Sequence, residues 1–543
     1  MKGLERIRRL ATRAAIRSDQ RRNGHGPTSG ADLAAWARRH LDGTQLVIVS
    51  NREPYSHVPG PDGIRSVWNA GGLTVALDAL ARAMGGTWVA HGNGAADREV
   101  VDEHDHVPCP PGRPRYTLRR VWLSPEDHDH YYAGFSNSAL WPLCHIAYVR
   151  PRFERADWES YRDVNRRFAE AALEEVGSGP ALVFLQDYHL ALAAKYIKRA
   201  RPDLRVVLFW HIPWPNAEIF RRLPWREELM EGLLANDLIG FHIHLHAINF
   251  LQTVADTLET RVDREHRAVE REGHRTWVRH FPMGVDVAEI ATMAEMPETR
   301  AAEERLRSEL KLGDARLGLG VDRLDYTKGL PERLRGLERF YEKYPDWVGR
   351  FRFLQVGVPS RIELEEYRTV RTQTHEAIQR INQRFGTPDA PLIHLIEDSL
   401  DFRDLLPLYR AADLCAVTSL HDGMNLVAKE YIAASPDGQG ALVLSPFTGA
   451  ARELERAWIV SPYDREDLAD VFLAALTEAP EARRARMADL ADVTRRRTIF
   501  DWAIDVLESA RSLAELPPTR DTQRRRISRR SAAKPESRKA RST

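Results

Sequence analysis

An α/β fold of two doubly wound domains, facing one another across a cleft, is what this 543-residue sequence predicts on three observations. From residue 45 onward, short β-branched apolar runs alternate with stretches of helical period, the pattern of βαβ units feeding a mostly parallel sheet. The strand-like runs fall into two sets, separated by a strandless segment rich in Ala, Glu, Met and Arg near residues 284–310. The chain is also longer than one core normally organises, and its 43% apolar content suffices for two. Ligands of open α/β sheets bind beyond the carboxyl ends of strands, which places the active site in the cleft between domains.

In chain order, residues 1–44 read as a basic, disordered arm carrying Arg6, Arg8, Arg9, Arg13, Arg17, Arg21 and Arg22; no apolar segment of the secretory kind follows it. Residues 45–284 form the first domain, with strands at 46–50, 87–90, 182–185, 205–210 and 238–241 and helices at 158–176 and 190–199. The linker beyond Gly284 reads as helical. Residues 285–497 form the second domain, with strands at 316–321, 351–356, 392–395, 414–417 and 441–445. Residues 498–515 predict a helix returning to the first domain. Residues 516–543 predict a disordered tail, since 517–543 hold ten basic residues against Asp521 and Glu536 with almost nothing apolar.

The bulk properties narrow the function. A formal charge of +1 gives the body no bias toward nucleic acid or anionic membrane. No run approaches the eighteen or so apolar residues of a membrane span. Cys109, Cys144 and Cys415 are widely spaced and form no CxxC pair, as suits a reducing cytoplasm. The pairs His104/His106 and His128/His130 and the alternating His242, His244 and His246 look like metal ligands. Metal sites need converging ligands and a second shell, the two His-Asp-His pairs read instead as solvated surface histidines, and no metal is expected.

Two stretches carry the chemistry: Val321–Gly329 (VDRLDYTKG) and His421–Tyr431 (HDGMNLVAKEY). The first follows a buried strand and presents Arg323 and Lys328 from the loop beyond it, cations suited to a departing diphosphate. The second runs from the small turn Asp422–Gly423 into a helix expected over 425–434, whose first amides would face an anion. Glu430 lies far enough along to accept two ribose hydroxyls. Any one of these residues alone reads as an ordinary surface side chain; together they outline a sugar-nucleotide site.

With these segments, together with Ser50–Arg52, Ala70–Leu73, Tyr131–Pro142, Asp187–His189, His211–Pro213 and Ser445–Ala450, the chain resembles the trehalose-6-phosphate synthase family over residues 46–513. The resemblance implies two Rossmann-like domains of the GT-B type. It implies a retaining transfer of glucose from a nucleotide-glucose, usually UDP-glucose, to glucose 6-phosphate, with no cofactor and no metal. By position, the donor would meet Gly72, Arg323, Lys328, Asp422, Gly423, Met424, Asn425, Leu426 and Glu430, with His211 beside its sugar. Arg323, Lys328, His211 and Asp422 would be the catalytic set. The acceptor would meet Arg52, Tyr132, Trp141, Asp187 and Arg361, with Tyr132 and Trp141 set by a turn at Phe135–Asn137. Partners would be these small molecules alone or a second copy of the chain; neither membrane nor nucleic acid is expected.

The chain departs from the family pattern near the acceptor. Arg52 is followed by Glu53, Pro54 and Tyr55, and His91 stands where a second tryptophan is usual. The sibling glucosylglycerol-phosphate synthases share the Arg-Glu-Pro-Tyr run, so glycerol 3-phosphate stays open as the acceptor. A catalytically silent sugar-phosphate binder is the alternative of another class, although it would be expected to lack part of the donor set. The donor base, among UDP, GDP and ADP, stays open too.

Overall fold

The computed structural model describes residues 29–69, 72–435 and 437–513. Two sheets organise it. The larger contains β1 (Gln45–Arg52), β4 (Thr87–His91), β5 (His106–Cys109), β6 (Tyr116–Val121), β7 (Ala181–Gln186), β8 (Arg205–Phe209), β9 (Leu238–Phe241), β10 (Val262–Asp263), β11 (Ala268–Arg271) and β12 (His274–His280). Its order is β10-β11-β12-β9-β8-β7-β1-β4-β6-β5, parallel from β12 to β6 and antiparallel at both edges. The second sheet is parallel throughout, in the order β15-β14-β13-β16-β17-β18. Its strands are β13 (Arg316–Arg323), β14 (Phe351–Val358), β15 (Ile393–Ile396), β16 (Leu414–Val417), β17 (Leu442–Leu444) and β18 (Trp458–Ile459).

Helices cover both faces of each sheet, so successive strand residues enter different cores. In β1, Val47 and Val49 join one cluster while Leu46 and Ile48 join the other. Strand order reverses between β1 and β7 in the first sheet and between β13 and β16 in the second. Loops diverge at such points and leave a crevice beyond the strand ends. Arg52 ends β1 and Asp187 follows β7; Arg323 ends β13 and Asp422 follows β16.

Two crossings join the sheets, and they touch. A β-carbon on Gly284 would collide with the backbone of Arg497 and Thr498, and Ile499 N donates to Val285 O at 3.4 Å. The helix Ile499–Ser512 then lies on the first sheet, with Phe500, Trp502 and Leu507 buried among Leu46, Phe184 and Phe209.

Several expectations need correction. Residues 29–44 are not a disordered arm: Gly30–His40 is a helix capped by Ser29, and its stripe Leu33, Trp36 and Ala37 is buried against the helices Gly72–Met84 and Ile499–Ser512. The arginines hid that apolar stripe. Residues 1–28 and the tail after 513 lie outside the described residues. Phe135–Asn137 is not a turn but part of a π-helical run, His128–Leu140. Its wider winding aligns residues five apart, so Asn137 Nδ2 donates to Tyr132 O at 2.8 Å and Ser138 Oγ to Ala133 O at 2.8 Å. A hairpin of β2 (Tyr55–Gly60) and β3 (Gly63–Trp68) also appears, along with β5, β6 and the 262–280 ribbon, where no strands were expected.

Candidate active site

The first sheet supplies one side of the expected site. Asp187 sits just beyond β7 with φ +70°, and its Oδ1 accepts from Tyr188 N at 2.9 Å and His211 N at 3.1 Å. Burial pushes its carboxyl up to about 6 despite these amides and the charges of Arg361 and Arg323. No hydrogen bond among the described residues uses Oδ2. His211, beyond β8, meets Gln186 Oε1 through Nε2 at 3.0 Å; burial pushes its imidazole down to about 3, so it is neutral. Tyr132 stacks on His189, with ring centroids 5.8 Å apart. Burial acts to raise the Tyr132 phenol, but Arg361, Arg52 and Arg323 together hold it below its ordinary value.

The second sheet reaches into the same site. Arg361 lies 4.3 Å from the Trp141 ring centroid and Arg323 lies 5.3 Å from it. Arg361 donates to the hydroxyls of Tyr367 and Tyr188. Desolvation, together with repulsion from Arg323 and Arg361, lowers the Arg52 guanidinium. Three cationic forks, contributed by both sheets, therefore converge around Tyr132 and Trp141. The Trp141 Nε1–H is buried with no acceptor among the described residues. The carboxylate closest to these forks is Asp325, fully buried, with Oδ2 at 3.4 Å from Arg323 and 3.8 Å from Arg361. Such a cationic excess suits a dianionic phosphate.

On the donor side, Lys328 Nζ donates to Asp422 Oδ2 at 2.5 Å, which also accepts from Asn425 Nδ2 at 3.1 Å. Burial acts to raise the Asp422 carboxyl, and Lys328 and Asn425 reverse that, holding it well below the usual range. Its Oδ1 takes no hydrogen bond among the described residues. The expected helix over 425–434 is corrected here: it is shorter, Val427–Ala433, because Asn425 turns left-handed at φ +72° and its side chain caps Ala428 N at 3.3 Å. The anion-facing feature is the loop itself. Among the described residues no acceptor meets the amides of Gly423, Met424, Asn425 or Leu426. Met424 is buried in the second domain's core, and Leu426 packs against both domains. Glu430 falls in the helix's first turn, with Tyr409 Oη donating to its Oε2 at 2.9 Å while no hydrogen bond among the described residues uses Oε1. Gly72 opens the helix Gly72–Met84; residues 70 and 71 lie outside the described residues.

The glycosyltransferase family 20 model matches residues 44–512. The chain belongs to that family. A family 20 relative, the trehalose-6-phosphate synthase of Mycolicibacterium vanbaalenii, is 39% identical over 479 residues, covering 87% of this chain and 96% of that one. The alpha,alpha-trehalose-phosphate synthase [UDP-forming] of Botryotinia fuckeliana is 36% identical over 87% of this chain and 90% of its own. Among solved structures, trehalose-6-phosphate from E. coli bound with UDP-2-fluoro glucose superposes with a TM-score of 0.76 at 33% identity, covering 86% of this chain and 99% of that one. The UDP-forming enzyme of Burkholderia xenovorans in complex with glucose-6-phosphate gives a TM-score of 0.76 at 32% identity, with the same coverage.

This family 20 site also contains residues that the motifs did not single out. Asp325, two positions after Arg323, pairs with two of the three cleft arginines, Arg323 and Arg361. Tyr188 and Tyr367 orient Arg361, and His421 Nδ1 meets His145 O at 2.7 Å across the cleft. Lys429, beside Glu430, donates to Met283 O at 2.8 Å and Glu453 Oε2 at 2.6 Å, tying the donor helix to the crossing at Gly284. Among the described residues no three His, Cys, Asp or Glu side chains converge to hold a metal ion, and no described helix is long and apolar enough to cross a membrane. Of the alternating histidines, His242 and His246 are buried, and burial drives both imidazoles down.

Proposed function

We propose that this protein is a retaining glucosyltransferase that moves glucose from UDP-glucose to the anomeric hydroxyl of glucose 6-phosphate, giving α,α-trehalose 6-phosphate and UDP. The observation that carries it is the convergence of Arg52, Arg323 and Arg361 from two domains on one pocket, beside a Lys328–Asp422 pair and a run of unpartnered amides. One anionic group is thereby gripped on each side of a sugar. Arg52, Arg361 and Tyr132 take the acceptor phosphate, Trp141 lies against the acceptor ring, and Asp187 Oδ2 accepts one of its hydroxyls. Arg323, Lys328 and the amides of Gly423–Leu426 take the diphosphate. Asp422 Oδ1 and His211 face the donor glucose, and Glu430 Oε1 with its partner oxygen takes the ribose.

In this reading no protein group acts as nucleophile. As the bond from anomeric carbon to diphosphate breaks, the acceptor hydroxyl approaches the same face and its proton passes to a diphosphate oxygen. Arg323 and Lys328 stabilise the charge growing on the leaving group, and neutral His211 adds none beside the oxocarbenium-like sugar. The positive charge that a diphosphate requires is thus supplied by side chains and amides. A matrix of UDP-, GDP- and ADP-glucose against glucose 6-phosphate and glycerol 3-phosphate, with phosphorylated products read by mass, tests the reading. Phosphorylated disaccharide from UDP-glucose and glucose 6-phosphate supports it. Glucosylglycerol phosphate as the main product, or no transfer with any pair, overturns it.

A further inference from the structure

A second ionic cluster lies beneath the site and takes no part in the chemistry above. Glu53, Asp97, Arg120 and His57 are all buried, at 1%, 0%, 0% and 6% exposure. Arg120, on β6, donates through Nε to Glu53 Oε2 at 3.0 Å and through NH2 to Asp97 Oδ1 at 2.7 Å and His57 Nδ1 at 2.8 Å. It also reaches Asp97 O at 2.8 Å and Tyr55 O at 3.2 Å. Asp97 accepts from His57 N at 2.7 Å and Gly94 N at 2.6 Å, and Glu53 Oε1 from Asn93 N at 3.3 Å. The Glu53 and Asp97 carboxylates thus meet on one Arg120 guanidinium. One guanidinium cannot neutralise two carboxylates in a dry interior, so a proton is retained between them.

The cluster fixes the base of the β2–β3 hairpin. Glu53 immediately follows Arg52. At the other end of the hairpin, Asn69 N donates to Pro54 O at 2.9 Å and Asn69 Nδ2 to Glu53 O at 3.1 Å. The chain entering this base therefore carries Arg52, and the chain leaving it carries Asn69.

Resting on the glucosyltransferase reading, we propose that Glu53, sharing one proton with Asp97 over Arg120, is a positioning residue that sets Arg52 for transfer. It touches neither substrate. The groups facing it are Arg120 from β6, Asp97 and the Asn93 amide from the loop after β4, His57 from β2 and the buried Cys109 thiol from β5. Burial, with Asp97 adding to it, pushes the Glu53 carboxyl up to about 8. Losing that proton would put two buried negative charges against one guanidinium and loosen the hairpin base.

The test uses full-length wild type, Glu53→Gln and Glu53→Ala, with kcat and KM for glucose 6-phosphate measured across neutral and alkaline pH and melting followed in parallel. Glutamine can donate to Asp97 and accept from Arg120 as the protonated acid does. Wild-type kcat/KM should fall above about pH 8. Glu53→Gln should match wild type within about threefold at neutral pH and lack that fall, while Glu53→Ala should lose about thirtyfold or more. Glu53→Ala equal to wild type, Glu53→Gln as poor as Glu53→Ala, or an alkaline fall unchanged in Glu53→Gln would each overturn the proposal. An active wild type with these outcomes leaves the transferase reading standing; an inactive wild type overturns both.

Discussion

The backbone carbonyl of His211 occupies the place where a β-carbon on Gly423 would lie. One residue follows a strand of the first domain and the other belongs to the donor loop of the second, so the cleft closes on bare backbone. A second glycine, Gly449, packs its backbone as tightly on Gly423 from behind. The amides of the Gly423 loop and the His211 carbonyl are thereby brought together.

Gly423→Ala should therefore hold the domains apart. Neither neighbour is a flexible side chain that could yield, and the cost of such overpacking is about 1–3 kcal/mol. We expect kcat/KM to drop by about tenfold to a hundredfold with melting temperature nearly unchanged. Small-angle scattering with UDP bound should show a larger radius of gyration than wild type; an unchanged radius with normal turnover would contradict the close-contact account.

Lys328→Ala removes the charge on the diphosphate side and leaves Asp422 buried without its ammonium. Loss of a preorganised charge of this kind costs about 3 kcal/mol of barrier, so kcat should fall at least about a hundredfold. The Asp422 carboxyl should rise from its depressed state, visible in the acid limb of the remaining activity.

Arg361→Lys keeps the charge but cannot reproduce a fork held by Tyr367 and Tyr188 over Trp141. We expect KM for glucose 6-phosphate to rise by about tenfold or more with KM for the donor little changed. Equal effects on both substrates would place Arg361 elsewhere in the mechanism.

The buried histidines predict acid lability. Burial pushes His145, His211 and His246 down to about 3, and His91 and His280 to about 4. Above the ordinary value near 6.5 both native and unfolded forms are neutral and these groups contribute nothing. Below it the unfolded chain binds protons that the native state refuses, so stability falls as pH drops from about 6.5 toward 4. Asp187, raised to about 6, and Glu53, raised to about 8, oppose this, because the native state binds their protons first as pH falls. Five imidazoles against two carboxyls still leave a net loss. Melting temperature should be lower at pH 5.5 than at 7.5, and a flat profile would contradict the burial of these neutral rings.

Much of this was legible in the sequence where one period dominated. The parallel strands β1, β7, β8, β13 and β14 are near-continuous apolar runs buried on both faces, and they announce themselves. The hairpin Tyr55–Trp68 does not, because only its first three residues are buried and the rest are half-buried or exposed, with no alternation to read. The site residues Arg323, Lys328, Asp422 and Glu430 stand in compact motifs, whereas Asp325 and Tyr188 act through tertiary contacts that local spacing does not encode. Asn425 shows the limit most clearly: ten helix-compatible residues suggested a longer helix, yet an asparagine side chain capping Ala428 N competes with the backbone and selects a left-handed turn. Residues 29–44 failed in the opposite sense, through composition masking an apolar stripe.

The front-face transfer at the centre of this account is tested most directly by the linkage in the product. Purified protein given UDP-glucose and glucose 6-phosphate should release UDP and a phosphorylated disaccharide whose proton spectrum shows two α-anomeric signals, the mark of a 1,1 linkage made with retention. A β-anomeric signal, or UDP release without a disaccharide, would contradict it.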